Sequence, residues 1–501
     1  MDASTYKKYR DAGYNRIPVV REVLADLDTP LSTYLKLART ENDHRYSYLL
    51  ESSQGGEKWG RYSIIGLPAK TILTVNGNNI EIRHNGKVVE ATHHDDPLAF
   101  VAQYQLRFRV APVPDLPRFY GGLVGYFAYD TVRYAEKRLA KSAPPDTMNT
   151  PDILLMVSNE VIVFDNVRGR MHIVYLSDPC EPQALEKAHK RLSQLTAKLD
   201  QKTPKISKSR SNAEIKESDF VSEFGREAYL HAVDKIKDYI TAGDVMQVVP
   251  SQRMSVPFTS DPLNLYRALR SLNPSPYMYF MDLGDFHIVS SSPEILARVE
   301  DGKIVNRPLA GTRHRGKTPE EDAQLERELL ADPKDLAEHL MLIDLGRNDV
   351  GRIAKTGSVK VTEQFTIERY SHVMHISSNI SGELQPGYTS IDVLRASLPV
   401  GTLSGASKIR AMEIIDELEP SKRGIYGGAV GYLAWNGNMD MAIAIRTAIV
   451  KDGKMFIQAG GGVVADSVPL LEWEESMNKG RAIFSAAALA EANLWTSPGK
   501  T

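Results

Sequence analysis

Hydrophobic and polar positions alternate in short runs along much of this chain and follow helical spacing elsewhere. Period-two alternation predicts half-buried strands, whereas apolar positions three and four residues apart predict amphipathic helices. This pattern predicts strands at 71–75, 81–84, 153–159, 160–164, 172–176, 286–290, 442–450 and 454–459. It predicts helices at 31–39, 182–199, 226–242, 318–330, 335–347 and 469–489. Because strands and helices do not alternate strictly, we expect an α+β fold with antiparallel sheets rather than a doubly wound parallel sheet.

The clearest break in the pattern is a stretch rich in Lys, Ser and Pro that lacks apolar periodicity. We predict an N-terminal domain at 1–200, an exposed linker at 201–218 and a second domain at 219–495. The linker is basic, but it has no interleaved aromatic residues, so a solvated connection is favoured over a nucleic-acid-binding arm.

One ten-residue segment has an internal echo. The segment beginning Tyr120-Gly121-Gly122 matches the segment beginning Tyr426-Gly427-Gly428 at seven of ten positions. Both copies are predicted to be strands, and glycines inside strands usually mark close backbone approach or a bulge. Each copy is therefore expected near a crowded sheet junction or a ligand, although two similar buried strands without a shared function explain the echo equally well.

Composition and net charge exclude several classes of protein and of binding partner. The 501 residues carry 61 Lys plus Arg against 63 Asp plus Glu, a formal charge of −2, so neither nucleic acid nor an anionic membrane is expected as a partner. The single cysteine, Cys180, excludes an intrachain disulfide and indicates a reducing compartment. With no apolar signal segment behind Met1 and no membrane-span pattern, we expect a cytoplasmic protein that binds a small molecule.

Two predicted helices each carry a pair of carboxylates three residues apart. Asp332 and Pro333 begin one helix and place Asp335 and Glu338 on the same face. For Asp335, a capping-box role is favoured over metal binding. The second pair is Glu472 and Glu475, for which the alternative is an exposed face where Glu475 pairs with Lys479. If the helices meet, the two pairs provide an all-oxygen site suited to Mg²⁺.

Other candidate groups are weaker when each is taken alone. The glycine-rich stretches at 401–405 and 460–462 do not have phosphate-loop spacing, so nucleotide binding is not indicated, but their N–H groups can bind a carboxylate. Arg446, expected on the strand 442–450, can add a bidentate contact. His375 alternates with apolar residues and could face a cleft, but taken alone it is better explained as a hydrogen-bonded core histidine. His93 and His94 are assigned to a loop before an Asp-Pro helix start.

Several motifs in the same order resemble the chorismate-utilising enzymes over roughly residues 225–485. They are PLAGTR at 308–313, DLGRND at 344–349, HVMH at 372–375, and the segments 401–405 and 472–479. The first half resembles the same family through 30–37, 48–52 and 58–63. The resemblance implies large antiparallel sheets in a sandwich-like core flanked by helices, with an N-terminal regulatory domain and a C-terminal catalytic domain.

Two positions indicate which branch of the family the chain resembles. Members that add water to chorismate carry a lysine base where this chain has Gln247, and members that form a covalent lysine adduct carry that lysine where this chain has Ala310. Direct attack by ammonia remains, which is the chemistry of the large subunits of anthranilate synthases. The resemblance implies formation of anthranilate and pyruvate from chorismate and ammonia, the first committed step of tryptophan synthesis.

The resemblance also assigns roles to individual residues. Glu294 matches a general acid for the departing C4 hydroxyl, and His375 matches a residue that assists aromatisation. The matched substrate contacts are Gly311, Thr312, Thr402, Tyr426, Arg446, Gly461 and Gly462. Glu338 and Glu475 match direct Mg²⁺ ligands, with Asp335 and Glu472 nearby, although relatives more often carry Glu where this chain has Asp335.

Feedback inhibition by tryptophan is implied by a further set of matching residues between the two domains. The set comprises Leu50, Glu51, Ser52, Asn273, Pro274, Ser275, Tyr277, Met278 and Phe280. Since Cys180 lies in no glutaminase motif, ammonia is expected from a separate glutamine amidotransferase subunit, in a heterotetramer with two copies of each chain. Two alternatives remain: an aminodeoxyisochorismate synthase that stops before pyruvate elimination, and a non-catalytic regulator that binds chorismate or tryptophan.

Overall fold

The computed structural model describes residues 1–40, 44–52, 60–207, 215–370 and 373–494. Its helices are α1 (Ala3–Asp11), α2 (Pro30–Leu37), α3 (Pro97–Leu106), α4 (Val132–Ala135), α5 (Ala184–Leu199), α6 (Arg226–Thr241), α7 (Pro262–Leu272), α8 (Pro319–Ala331), α9 (Pro333–Gly351), α10 (Ser390–Ser397), α11 (Gly401–Ser404), α12 (Lys408–Leu418) and α13 (Pro469–Glu491). Short 3-10 turns lie at Tyr129–Thr131, Lys137–Leu139 and Glu217–Asp219. Among these described helices, none is long and apolar enough to cross a bilayer.

Several helices begin with the same local signal. In α2, α3, α7, α8 and α9, an Asp or Thr side chain accepts a backbone N–H at the N-cap and Pro follows at the start of the helix. Pro fits this position because its missing N–H would have no intrahelical partner. The Asp332-Pro333 start and the Asp-Pro start after His94 were both predicted from the sequence, and both are confirmed.

Two large antiparallel sheets form the body of the molecule. The strands are β1 (Ile17–Leu24), β2 (Ser47–Glu51), β3 (Tyr62–Gly66), β4 (Thr71–Asn76), β5 (Asn79–His84), β6 (Lys87–His93), β7 (Gly122–Phe127), β8 (Ile153–Ser158), β9 (Glu160–Asp165), β10 (Arg170–Ser177), β11 (Val221–Ser222), β12 (Gln247–Val248), β13 (Ser251–Pro257), β14 (Tyr277–Asp282), β15 (Phe286–Ser292), β16 (Ile295–Glu300), β17 (Lys303–Asn306), β18 (Leu309–His314), β19 (Lys360–Arg369), β20 (Val373–Glu383), β21 (Gly405–Ala406), β22 (Ala429–Ala434), β23 (Met439–Ile443), β24 (Thr447–Lys451) and β25 (Lys454–Gly460). The first sheet has the order β1-β10-β9-β3-β2-β14-β15-β24-β25-β13-β11. The second has the order β18-β20-β17-β16-β23-β22-β7-β8-β4-β5-β6, with β19 on β20, while β12 and β21 form a separate pair.

Each large sheet combines strands from both halves of the chain. In the first sheet β2 pairs with β14, and in the second sheet β7 pairs with β22. In both sheets, therefore, a strand from the predicted N-terminal domain pairs directly with a strand from the predicted C-terminal domain. The 1–200 and 219–495 division stays a prediction about the chain, and part of the predicted linker, 208–214, lies outside the described residues.

The buried residues show a layered packing of helices, sheet, sheet and helices. A central cluster joins the facing sides of the two sheets through residues such as Tyr48, Tyr126, Met281 and Tyr432. The outer face of the first sheet packs on α2, α5, α7 and α13, and the outer face of the second sheet packs on α3, α9 and α10. The expectation of an α+β sandwich with flanking helices is confirmed.

The two echo segments are direct neighbours in the second sheet. β7 and β22 pair antiparallel, with Gly125 opposite Gly431. A Cβ atom at Gly125 would lie 1.9 Å from the Leu154 carbonyl oxygen, and one at Gly431 would lie 2.0 Å from the Asp440 carbonyl oxygen. The prediction that these glycines mark close backbone approach is confirmed, because any side chain would collide with the adjacent strand.

One predicted strand was wrong. The run 442–450 is not a single strand: β23 belongs to the second sheet and β24 to the first, and Arg446 lies between them at a φ of 49°. The chain crosses from one sheet to the other at this point. The error has a physical cause, since the run is apolar and buried on both faces and therefore shows no period that would mark the crossing.

Candidate active site

Glu294 lies in the short connection between β15 and β16. Its carbonyl oxygen accepts the Ile443 N–H at 3.0 Å, which ties the connection to the end of β23. The Thr402 hydroxyl donates to Glu294 Oε1 at 3.3 Å. Burial raises the pKa of Glu294 to about 8, while this hydrogen bond and the nearby Arg446 and Lys479 lower it. Glu294 is therefore a buried carboxyl that keeps its proton at neutral pH and can donate it.

His375 lies on β20, beside the backbone of β18. Its Nδ1 is 2.9 Å from the Gly311 carbonyl oxygen and 3.0 Å from the Thr312 hydroxyl. Burial lowers the pKa of His375 to about 4, so the imidazole is neutral at pH 7. Since Nδ1–H donates to the Gly311 carbonyl, the lone pair is on Nε2, which makes Nε2 a proton acceptor.

Arg446 joins these two groups electrostatically. Its positive charge lowers the pKa of both Glu294 and His375. Within the described part of the chain, its guanidinium forms no ion pair and no side-chain hydrogen bond. A partly buried arginine with its donors uncommitted is suited to bind a carboxylate in two-pronged geometry.

Three carboxylates on α9 and α13, namely Glu338, Glu472 and Glu475, form what we call the acidic cluster. Burial raises the pKa of Glu338 and of Glu472, and the charge of Glu475 raises both further. A Cβ atom at Gly461 would lie 2.9 Å from Glu472 Oε2 and 3.2 Å from Glu475 Oε1. The two carboxylates of α13 therefore lie beside the Gly461 backbone, and the charge of Glu475 also acts on Glu338 of α9.

The acidic cluster fits a hard cation by its donor chemistry. Glu472 Oε2 is buried and has no hydrogen-bond partner among the described residues, and mutual repulsion of carboxylates is relieved by a divalent cation. The Lys479 ammonium partly balances the charge, since it contacts Glu475 at 2.7 Å and donates to the Gly460 carbonyl at 2.9 Å. Among the residues that the structure describes, no group of three or more acidic, His or Cys side chains is placed so that it could hold a metal ion.

Asp335 does not close the predicted capping box. Asp332 alone caps α9, and the Asp335 carboxylate instead accepts Arg313 Nη1 at 2.9 Å. Arg313 also holds Asp332 through Nη2 at 2.9 Å. The capping-box assignment was wrong because Arg313, on β18, lies far away in sequence and reaches the carboxylate only in the folded chain.

The remaining predicted substrate contacts lie on several different elements. Thr402 lies on α11, and the Tyr426 side chain is buried just before β22. A Cβ atom at Gly462 would lie 2.4 Å from Gln247 Nε2, so the buried Gln247 amide packs against this glycine. Gln247 and Lys479 were not among the predicted site residues. No local pattern marks Gln247, whereas Lys479 was marked only as a possible ion-pair partner of Glu475, and that pair forms.

A separate cavity, which we call the Tyr277 cavity, lies between the two sheets. Five of the residues predicted for tryptophan line it: Leu50, Glu51, Ser52, Tyr277 and Met278. Asn273 and Ser275 lie behind it, linked through the Ser291 hydroxyl at 3.3 and 2.8 Å, whereas Phe280 is fully buried against Tyr34 and Tyr266. Pro274 is not among the lining residues.

Three charged residues of the Tyr277 cavity, Arg118, Arg298 and Asp440, were not predicted from the sequence, unlike Glu51. The Asp440 carboxylate accepts the Tyr277 hydroxyl at 3.0 Å and Arg298 Nε at 3.0 Å, and Arg118 also lines the wall. Arg298 is the one charged residue inside β16, which ends at Glu300, and Asp440 is the one charged residue of β23. That isolation was the available signal, since a charge buried in a strand requires a partner.

Comparison with known proteins places the chain in a family. The family model described as chorismate binding enzyme matches residues 45–485. The chain belongs to the chorismate-binding enzymes. It is 61% identical to the anthranilate synthase component 1 of Pseudomonas putida, over 98% of this chain and 99% of that protein. The component 1 of Neisseria meningitidis serogroup B is 55% identical, over 98% of both chains.

Solved structures agree with this assignment. Anthranilate synthase component I from Streptococcus pneumoniae TIGR4 has a TM-score of 0.76 at 36% identity, covering 92% of this chain and 99% of that one. The menaquinone-specific isochorismate synthase MenF from Escherichia coli has a TM-score of 0.69 at 17% identity, covering 97% and 98%. The latter likeness concerns the fold alone.

Proposed function

We propose that this chain is the chorismate-binding component of an anthranilate synthase, which forms anthranilate and pyruvate from chorismate and ammonia. The observation that supports the proposal is an uncommitted Arg446 whose charge acts on both a protonated Glu294 and a neutral His375. This arrangement occurs in a chain that is similar over almost its full length to proteins named anthranilate synthase component 1.

Chorismate carries two carboxylates, and the site offers separate partners for each. Arg446, Tyr426 and the Gly461–Gly462 backbone hold the enolpyruvyl carboxylate. Gly311, Thr312 and Thr402 contact the ring carboxylate. Without such donors the burial of two negative charges would be prohibitive.

The reaction begins when ammonia adds to ring C2. The C4 hydroxyl leaves as water after it takes the proton of Glu294, whose raised pKa keeps that proton available at neutral pH. The ammonium group formed at C2 releases one proton, which restores the carboxyl of Glu294. His375 Nε2 then accepts the proton from C2, the C3–O bond breaks, and the enolpyruvate that leaves takes a proton at its methylene carbon to become pyruvate. A neutral histidine is required for this second step, and the burial of His375 keeps it neutral.

Mg²⁺ fits the acidic cluster, with Glu338 and Glu475 as direct ligands and Glu472 nearby. When bound, it would act as a Lewis acid toward the ring carboxylate. Asp335 stays beside the cluster but is committed to Arg313, so we assign it an indirect role. Release of Glu475 from Lys479 is the rearrangement that this site requires from the protein.

Two residues favour direct attack by ammonia over the other reactions of the family. Gln247 supplies no base that could deprotonate water, whereas neutral ammonia needs no base to attack. Ala310, buried on β18, supplies no amine for a covalent adduct. Ammonia is expected from a glutamine amidotransferase subunit, in a cytoplasmic heterotetramer that serves tryptophan synthesis. The component 1 names of the relatives support a separate partner component.

We further propose that the Tyr277 cavity binds tryptophan as feedback inhibitor. The cavity has apolar and aromatic walls for the indole ring and both signs of charge for a zwitterionic amino acid. Residues from both halves of the chain line it, and Arg298 and Asp440 in its wall lie on β16 and β23, which also hold Glu294. Through these shared strands, a ligand in the Tyr277 cavity can affect Glu294.

Product analysis tests the proposal against its nearest alternative. The purified chain is mixed with chorismate, Mg²⁺ and an ammonium salt, and the products are separated by mass. Anthranilate with an equal amount of pyruvate is expected. A non-aromatic amino product would instead identify an aminodeoxyisochorismate synthase, and binding of chorismate without any turnover would identify a non-catalytic regulator.

A further inference from the structure

Arg423 is the most completely buried arginine of the site region, with 1% of its side chain exposed. It forms an ion pair with Glu419, which is 3% exposed, through Nε to Oε2 at 2.9 Å and Nη2 to Oε1 at 2.6 Å. The same Glu419 carboxylate accepts the backbone N–H and the hydroxyl of Ser251, both at 2.8 Å. The pair is therefore fully coordinated inside the protein.

The other guanidinium donors go to two backbone carbonyls. Nη1 donates to the Leu403 carbonyl at 2.6 Å, and Nη2 donates to the Val249 carbonyl at 2.6 Å. Leu403 follows Thr402 on α11, and Val249 follows β12, which carries Gln247. One rigid side chain thus joins the segment of the Glu294 partner to the segment that packs against Gly462.

The flat faces of the guanidinium contact two tyrosines. The Arg423 carbon Cζ lies 4.7 Å from the centre of the Tyr129 ring and 5.7 Å from that of Tyr426. Tyr129 comes from the first half of the chain, at the end of the first echo segment. Tyr426 is the residue with which the second echo segment begins, and it is a proposed contact of the enolpyruvyl carboxylate.

We propose that Arg423 is a positioning residue for chorismate, resting on the proposed function. It fixes Thr402, Tyr426 and the Gln247 segment in one arrangement without touching the substrate itself. A lysine cannot replace it, because an ammonium group lacks the planar fork that reaches one carboxylate and two carbonyls at once.

A matched control is available on the neighbouring helix. Arg133 is also a buried arginine, with 10% of its side chain exposed, and it donates to both Asp416 oxygens at 2.7 and 2.8 Å and to the Leu139 carbonyl at 2.8 Å. It therefore has an ion pair and a backbone contact of the same kind. Arg133 Nε also donates to Asp130 Oδ1 at 2.8 Å, and Asp130 Oδ2 accepts the Gly424 N–H at 3.0 Å. These contacts reach the residue after Arg423, but none of them reaches Thr402, Tyr426 or Gln247.

The experiment measures chorismate binding by titration calorimetry, in Mg²⁺ and without ammonia, for the full chain and for Arg423→Lys and Arg133→Lys. We expect Arg423→Lys to raise the Kd for chorismate at least about tenfold, since several contacts lose alignment together. Arg133→Lys is expected to lower the melting temperature to a similar extent but to leave the Kd within about twofold. A steady-state KM and kcat for both variants provides the second readout.

A double variant covers the case in which Arg423→Lys does not fold. Replacing Arg423 and Glu419 together by Met removes the pair without leaving a buried charge, so the protein is expected to fold while still losing chorismate affinity. Unchanged affinity in a folded Arg423 variant, or an equal loss in Arg133→Lys, would overturn the positioning role. Absence of chorismate binding by the unmodified chain would overturn the proposed function and this inference with it.

Discussion

The buried carboxyl of Glu294 predicts a variant that loses activity and gains stability. In the folded chain burial raises its pKa to about 8, against an ordinary value of 4.5. Below about pH 4.5 both the folded and unfolded states hold the proton. As the pH rises through the window between these values, the unfolded state releases the proton while the folded state keeps it, so folding stability falls.

The magnitude follows from the width of that window. At ~1.4 kcal/mol for each pH unit, ionisation of Glu294 costs the folded state at most about 5 kcal/mol above pH 8. Glu294→Gln keeps an oxygen that can accept the Thr402 hydroxyl but cannot ionise. We therefore expect the variant to melt up to about 5 °C above the unmodified chain at about pH 9, given roughly 1 °C per kcal/mol for this chain length.

The assay compares melting curves at about pH 5 and about pH 9 together with anthranilate formation. At about pH 5 the stability gain should be small, while kcat should be at least about 100-fold lower wherever activity is measured. Asp322→Asn is a control in which the pKa of the carboxyl is lowered by folding instead of raised. Hydrogen bonds from Arg315 and the Gly316 N–H lower the pKa of Asp322, so its removal should destabilise the chain equally at both pH values. A Glu294→Gln variant that gains nothing at high pH would refute a buried, neutral acid.

Three further predictions concern the second proton transfer, the metal and the inhibitor. His375→Ala should slow anthranilate formation about 100-fold and let a non-aromatic amino intermediate accumulate, detected by mass; slow turnover without it would contradict the role. Gly461→Ala should raise the Mg²⁺ concentration for half-maximal rate about tenfold, because its Cβ would press on the acidic cluster, whereas Gly351→Ala, which meets nothing within 4 Å, should not. Tyr277→Phe removes a hydrogen bond to Asp440 and should weaken tryptophan inhibition about fivefold at an unchanged uninhibited rate; equal inhibition would exclude the hydroxyl from binding.

The sequence pattern predicted local elements well but not their assembly. Most predicted helices and strands occur within a few residues of their expected bounds, since caps, Pro starts and period-two runs are local signals. The pairing of β2 with β14 and of β7 with β22 has no local signal. The apolar run around Ala444 likewise hid the crossing at Arg446, because a segment buried on both faces has no polar side to mark its direction.

In the candidate site, too, the sequence indicated individual residues but not the contacts between them. Resemblance to a family indicated Glu294, His375 and the carboxylates, and in the structure Arg446 acts electrostatically on both Glu294 and His375 while Lys479 acts on Glu294 and on Glu338. It could not indicate that Asp335 is held by Arg313, nor that the Arg423 guanidinium links α11 to the Gln247 segment. These contacts join residues that are distant along the chain, so their existence depends on the fold rather than on any motif.

Anthranilate fluorescence from the isolated chain tests the central claim most directly. The chain is given chorismate, Mg²⁺ and an ammonium salt at alkaline pH, with EDTA or tryptophan in parallel reactions. The proposed function predicts a fluorescence increase that requires Mg²⁺, needs no glutamine and diminishes with tryptophan. Consumption of chorismate without a fluorescent product, or no consumption under any of these conditions, would contradict it.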